Sequence, residues 1–217
     1  KTLHGWERSH KLIGGYIMKK QVTAVLVGAG GRGLTSYGPY ALSYPEEWKF
    51  VAVAEPDFER RKKFQELHGI SDDMCFESWE QLLEQPRLAD AALICTQDKM
   101  HFYPTIKALE NQYHVLLEKP MSPDLYECVT MAEYAQKYNR VLSICHVLRY
   151  TPFFNTLKKL LNDETIGELV SIQHNENVGY WHQAHSYVRG NWGNSSESSP
   201  MILAKCCHDM DILYWLA

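Results

Sequence analysis

The sequence predicts an α/β protein, with a doubly wound parallel sheet followed by an incomplete α/β second domain. Three observations predict it. Val22–Val27 is an almost unbroken apolar, β-branched run, as a strand buried on both faces requires. It ends in Gly28, Gly30 and Gly33, spaced as G-x-G-x-x-G. A second apolar run, Phe50–Ala54, ends in Glu55, 22 residues beyond Gly33. Strand-like and helix-like stretches of matching length then alternate as far as Cys145, the pattern of a parallel sheet with crossover helices.

The glycines of the first turn have separate tasks. Gly28 permits the tight turn, Gly30 lets the backbone approach a pyrophosphate, and Gly33 lets the following helix lie against the strand. The helix N-terminus, with Gly31 and Arg32, offers N–H groups and partial positive charge to phosphates. Glu55 stands near the offset of the acid that binds the adenosine ribose in a Rossmann domain. A carboxylate there repels a 2′-phosphate by roughly 1 kcal/mol in water and about 4 at a partly buried site. The expected cofactor is therefore NAD. Arg60, Arg61 and Lys62 follow closely and could hold a phosphate, which keeps NADP open. Their alternative is to coat the solvent face of a helix.

Residues 1–17 show neither clear periodicity nor a signal-peptide core. Met18-Lys19-Lys20 reads as a natural start, so 1–17 are expected to be an upstream or artificially added extension, a genuine arm being the alternative. Residues 18–148 are the expected NAD(P)-binding domain. Its elements are a strand at Val22–Val27, a helix from Gly31 to Leu42 kinked at Pro39, and a strand at Phe50–Ala54. A charged helix follows from Pro56 and Asp57 to His68, closed by Gly69. A short helix at Glu77–Glu84, a strand at Ala91–Cys95, a helix at His101–Asn111 and a strand at His114–Leu117 come next. Ser122-Pro123 has the cap and first-turn chemistry of a helix running to Tyr138, and Val141–Cys145 is the last strand.

Residues 149–217 are expected to begin a substrate and oligomerisation domain. Thr151-Pro152 opens a helix by the same chemistry. Glu168–Val178 alternates like a strand exposed on one face. Tyr180–Pro200 has no regular period, and Met201–Leu216 returns to a helical one. One strand and two helices lack a sheet to bury their apolar faces, hence an incomplete domain.

Composition narrows the classes. A formal net charge of −4 argues against nucleic acid or an anionic membrane as partner. No apolar run approaches the roughly 20 residues needed to span a bilayer. Six cysteines without C-x-x-C spacing fit a reduced, cytoplasmic setting.

Three further places can carry chemistry. Thr96, Gln97 and His101 lie at the C-terminal end of a strand, where ligands bind in open α/β sheets. The alternative is a polar turn. Glu118-Lys119-Pro120 sits at another such end. Lys119 could bind a substrate hydroxyl and stabilise a developing alkoxide, or be a surface lysine. His208 is a candidate general base or acid. Asp211, three residues on, and Lys205, three before, share its helix face and could act with it. A helix-surface pair is the alternative. Arg149, Tyr180, Trp181, His182 and His185 are weaker candidates for substrate contact. His182, His185 and the Cys206-Cys207-His208 run could suggest zinc, but adjacent cysteines ligate one ion poorly, and no metal is expected.

Together VLVGAGGRG, VAVAEPD, ALICTQDKMH, VLLEKPMS and KCCHDMDILYWL make the chain resemble the Gfo/Idh/MocA family of oxidoreductases over 18–217. The resemblance implies an N-terminal Rossmann domain and a C-terminal α/β domain whose open sheet forms the substrate site and often the oligomer interface. It implies NAD(P)-dependent oxidation or reduction of a sugar, polyol or related ring hydroxyl. By it Lys119 is the active-site lysine beside the nicotinamide, Thr96, Gln97, His101 and Glu118 line the cofactor, and His208 exchanges the substrate proton. A longer form is expected to be a homo-oligomer. The sequence departs from the family at Ala204, where many members carry an aspartate, at Thr96-Gln97-Asp98, and in its length. A redox-neutral NAD-dependent sugar enzyme and a non-catalytic NAD-binding fragment are the alternative readings.

Overall fold

The computed structural model describes residues 12–13, 16–17, 20–190, 193–194 and 198–217. Most of the expected extension 1–17 therefore lies outside the described residues. Strands β1 (Leu12–Ile13) and β2 (Tyr16–Ile17) pair antiparallel. The remaining strands are β3 (Val22–Val27), β4 (Trp48–Ala54), β5 (Cys75–Phe76), β6 (Ala91–Ile94), β7 (His114–Leu117) and β8 (Leu142–Ile144). They form one six-stranded sheet in the order β5-β4-β3-β6-β7-β8. That order, reversing after β3, is the dinucleotide-binding one. The β3–β4, β4–β5 and β7–β8 pairs are parallel. The chain divides into two compact units, Lys1–Ala91 and Ala92–Ala217.

In the first unit, Ala24, Val25 and Leu26 of β3 are fully buried, as a continuous apolar strand demands. The predicted helix after the glycines is two pieces: a wide π-type turn over Gly31–Tyr37, then α1 (Gly38–Ser43). Pro39 at the start of α1 sets the joint, where its missing N–H costs nothing. Helix α2 (Phe58–His68) starts on Asp57, whose carboxylate accepts from the Arg60 N–H, and ends on Gly69 in the left-handed region at φ 60°. Phe64 of α2 meets Phe50 of β4 edge to face, ring centroids 5.1 Å apart, and both are buried. Helix α3 (Trp79–Glu84) is capped by the Ser78 hydroxyl.

In the second unit, α4 (Phe102–Glu110) and α5 (Leu125–Lys137) follow β6 and β7. Leu93, Ile94, Leu109, Leu117, Met131 and Ile212 are among its buried residues. The cap of α5 is Asp124 rather than Ser122: its carboxylate accepts from the Tyr126 N–H at 2.7 Å and the Glu127 N–H at 3.3 Å. A short carboxylate with two oxygens reaches two free N–H groups, while Ser122 accepts from the Asp124 N–H. Helix α6 (Pro152–Asn162) begins where predicted, but the Thr151 hydroxyl donates back to the Leu148 carbonyl at 2.8 Å and does not cap it. The predicted strand over 168–178 is not formed. Its backbone is without strand pairing, and Val170 is 94% exposed. Alternation marks a segment suited to a sheet, but a strand needs a neighbour, and none of the described residues supplies one. The aperiodic stretch contains α7 (Tyr180–His182) and a π-type turn over Gln183–Val188. The last helical stretch is broken into α8 (Met201–Ala204) and α9 (Cys207–Leu216).

Candidate functional site

In the first unit, the β3 turn is built for close approach. Gly28 has φ 93°, a conformation open mainly to glycine. A Cβ on Gly33 would lie 2.3 Å from the Gly28 carbonyl oxygen, so no side chain fits there. A Cβ on Gly30 or Gly31 would meet nothing within 4 Å among the described residues, which leaves open space along the backbone. Arg32 is exposed beside it. These are the features a pyrophosphate cradle requires. Glu55 is 5% exposed. One of its oxygens accepts from the Ala29 N–H at 2.7 Å and the other from the Asp57 N–H at 3.1 Å. The carboxylate therefore pins the glycine turn to the end of β4. Arg61 donates to the Glu55 and Pro56 carbonyls and reaches Glu77 at 3.4 Å. Arg60 pairs with Asp57 and Lys62 with Glu66. The basic run is thus engaged by its own surroundings.

In the second unit, His101 is fully buried. Its Nδ1 lies 2.8 Å from the Pro120 carbonyl and its Nε2 3.1 Å from the Thr96 carbonyl. The ring ties the turn after β6 to the turn after β7, so His101 is a positioning residue rather than a lining one. Thr96 donates to the Met100 carbonyl at 3.2 Å, and Gln97 is exposed. Glu118 is buried and accepts from the Lys119 N–H at 3.1 Å. The half-buried Lys119 sends its Nζ 2.9 Å to the Ala204 carbonyl, at the end of α8.

His208 lies within electrostatic reach of this lysine. Burial first, and then the Lys119, His146 and Lys205 charges, push its pKa down to about 4. The ring is neutral near pH 7, and its buried Nδ1 has no hydrogen-bond partner among the described residues. His146, which the sequence reading missed, crosses His208 edge to face at 5.9 Å. Its pKa is also lowered, chiefly by burial, and its Nδ1 is likewise buried and without a hydrogen-bond partner among the described residues. Its position just beyond β8, at a strand's C-terminal end, is the signal that could have found it.

Helical spacing misjudged the partners of His208. Asp211 does not orient it. Its carboxylate accepts from Arg149 Nε at 2.7 Å and Nη2 at 2.5 Å, a bidentate pair. That same pair removes Arg149 from the free substrate contacts. Lys205 reaches Glu176 at 3.2 Å. Tyr180 and Trp181 are 85% and 62% exposed, and His185 is exposed. His182 is half-buried and packs edge to face on Trp181 and Tyr187. The metal-ligating types that do converge are others: His174, Glu176 and Asp209, their ligand atoms within 4.8 Å of one another. Among the described residues, no helix is long and apolar enough to cross a membrane.

A family model described as an oxidoreductase family with an NAD-binding Rossmann fold, GFO_IDH_MocA, matches residues 22–146, more than half of the chain. The chain belongs to the Gfo/Idh/MocA oxidoreductase family. The model of that family's C-terminal α/β domain matches residues 158–217. Among curated relatives, the inositol 2-dehydrogenase of Corynebacterium glutamicum is 29% identical over 59% of this chain and 35% of its own length. The 2,7-anhydro-N-acetylneuraminate hydratase of Escherichia coli is 26% identical over 62% of this chain and 35% of its own. The chain thus spans about a third of the length of these two relatives. Among solved structures, the WlbA dehydrogenase of Chromobacterium violaceum, in complex with NADH and UDP-GlcNAcA, superposes with a TM-score of 0.76. It is 21% identical, and the match covers 92% of this chain and 56% of that one.

Proposed function

We propose that this Gfo/Idh/MocA chain carries the nucleotide domain, residues 18–148, and the beginning of the substrate domain, 149–217, of an NAD-dependent dehydrogenase. Its substrate is a small molecule, oxidised or reduced at a hydroxyl or carbonyl of a sugar, polyol or related ring. The observation that carries this reading is the placing of the neutral His208, whose Nδ1 meets no hydrogen-bond partner among the described residues, within electrostatic reach of Lys119. NAD, when bound, supplies the hydride chemistry. Gly28, Gly30, Gly31, Arg32 and Gly33 bind the pyrophosphate and Glu55 the ribose. Thr96 and Glu118 line the nicotinamide end. The Lys119 ammonium binds the substrate oxygen and stabilises negative charge on it. The His208 imidazole takes a hydrogen bond from the hydroxyl that loses its proton. The buried Glu55 carboxylate, and the engagement of Arg61 by neighbouring oxygens, support NAD over NADP. The six free cysteines support a reduced, cytoplasmic setting.

Fluorescence titration with NADH and NADPH tests the cofactor assignment, with NADH expected to bind at least tenfold tighter. The reverse order would remove Glu55 from its assigned role. A panel of sugars and polyols, followed by nicotinamide absorbance on a form including the rest of the substrate domain, tests the reaction. Lys119→Met should lower turnover at least a hundredfold and leave NADH affinity within a few-fold. Undiminished turnover would end the catalytic assignment. A second reading, redox-neutral sugar processing, is favoured by one observation: the Escherichia coli relative is named a hydratase. Product formation without net NADH would select it.

A further inference from the structure

We propose that His174, Glu176 and Asp209 form a binding site for a divalent first-row transition metal of the zinc type. His174 and Glu176 are two residues apart on the irregular segment before α7. Asp209 comes from the first turn of α9. One ligand atom from each lies within 4.8 Å of the others, and His174 Nε2 is 2.6 Å from Asp209 Oδ1.

A hydrogen-bonded histidine–aspartate pair does not account for the whole arrangement. The Asp209 side chain is only 10% exposed. Its second oxygen, Oδ2, is buried and meets no nitrogen or oxygen donor among the described residues, the weak Cys206 thiol being the donor beside this carboxylate. A buried carboxylate oxygen without a partner is costly, and an ion is one of the few things that satisfies it. Two carboxylates and one imidazole also carry more negative charge than one lysine offsets. Lys205 holds one oxygen of Glu176 at 3.2 Å. A carboxylate has lone pairs on both oxygens, so Lys205 can steady Glu176 from outside while the other oxygen faces the ion.

The donor set selects the metal. Imidazole nitrogen with carboxylate oxygens suits zinc and its neighbours, whereas magnesium and calcium prefer oxygen alone. Three protein ligands leave a coordination position for water or a substrate oxygen. The site uses none of the residues first considered for zinc, His182, His185, Cys206, Cys207 or His208. It does not rest on the hydride-transfer reading.

The experiment is titration of the chelator-treated chain with Zn2+ by calorimetry and with Co2+ by visible absorption. One ion per chain is expected, with a Zn2+-dependent rise in melting temperature and Mg2+ at least a hundredfold weaker. Glu176→Gln, at an exposed position that does not endanger folding, should weaken Zn2+ at least tenfold. Asp209→Asn should weaken it at least a hundredfold, with far-UV circular dichroism as the check on folding. The changes Cys207→Ser and His182→Ala should bind Zn2+ as the parent does. Absence of stoichiometric binding would overturn the proposal. So would binding indifferent to Glu176→Gln and Asp209→Asn, binding lost with Cys207 or His182, or Mg2+ binding as tight as Zn2+. Each readout is independent of NADH affinity and turnover.

Discussion

Substituting Gly33 by alanine puts a methyl carbon 2.3 Å from the Gly28 carbonyl oxygen and 3.0 Å from Leu26 Cδ2. Carbon and oxygen rest comfortably at about 3.3 Å or more, so the first helical turn must retreat by about 1 Å. Neither neighbour yields easily. The oxygen belongs to the backbone at the end of β3, and Leu26 is fully buried. Overpacking that moves backbone costs about 3 kcal/mol, the upper part of the usual range. Replacing glycine by alanine in a helical turn returns about 1 kcal/mol, so steric cost wins by about 2. For a chain of this size that lowers the melting temperature by about 4–8 °C. Gly30→Ala is the matched control. Gly30 has φ −74° and a Cβ there meets nothing within 4 Å, so stability should hold. NADH affinity should nevertheless fall tenfold or more, because the methyl stands where a pyrophosphate would approach. Calorimetric melting and NADH fluorescence titration read the two effects separately. A Gly33→Ala melting temperature equal to the parent's would refute the close-packing argument. A Gly30→Ala chain binding NADH normally would refute the cradle.

Three other outcomes are expected. His208 has a folded-state pKa of about 4, below its ordinary 6.5. The unfolded chain therefore takes up the proton first, and stability is lost as pH falls from about 6.5 to about 4, by at most on the order of 3 kcal/mol. Melting of the chelator-treated chain across that range should show a shallower pH dependence in His208→Gln, and an identical profile would sink the claim. His101→Ala empties a fully buried position and strips the Thr96 and Pro120 carbonyls of their contact. It should cost about 2–4 kcal/mol, visible as a shifted denaturant midpoint. Arg149→Met leaves the Asp211 carboxylate unpaired. With the arginine about a third exposed, screening trims the loss to about 1–2 kcal/mol. A double-mutant cycle with Asp211→Asn should recover most of it, and strict additivity would show the pair is not coupled.

Much of the nucleotide half was legible because its signals are local. The β-branched run of β3 has the bounds its composition gives it. Asp57 and Gly69 bracket α2 through chemistry that acts over three or four residues. The demand for glycine at Gly28 and Gly33 follows from the turn itself. Local reading went astray where two local solutions compete, as at Ser122 and Asp124, or where a segment needs a distant neighbour, as at 168–178. Site assignments failed for the same reason. Helical spacing pairs Asp211 with His208, but a bidentate guanidinium 62 residues away holds that carboxylate more strongly.

Sequence alone therefore determined the class of the fold, the strand–turn–helix nucleotide fingerprint and the strand-end placement of Lys119, since each depends on neighbours along the chain. Tertiary structure decided which charges meet. It gave Lys119 the Ala204 carbonyl, set His146 against His208, tied His101 between two turns, and gathered His174, Glu176 and Asp209. Such pairings depend on distance through space and on burial, which removes water as the competing partner, and neither quantity is written in periodicity or spacing.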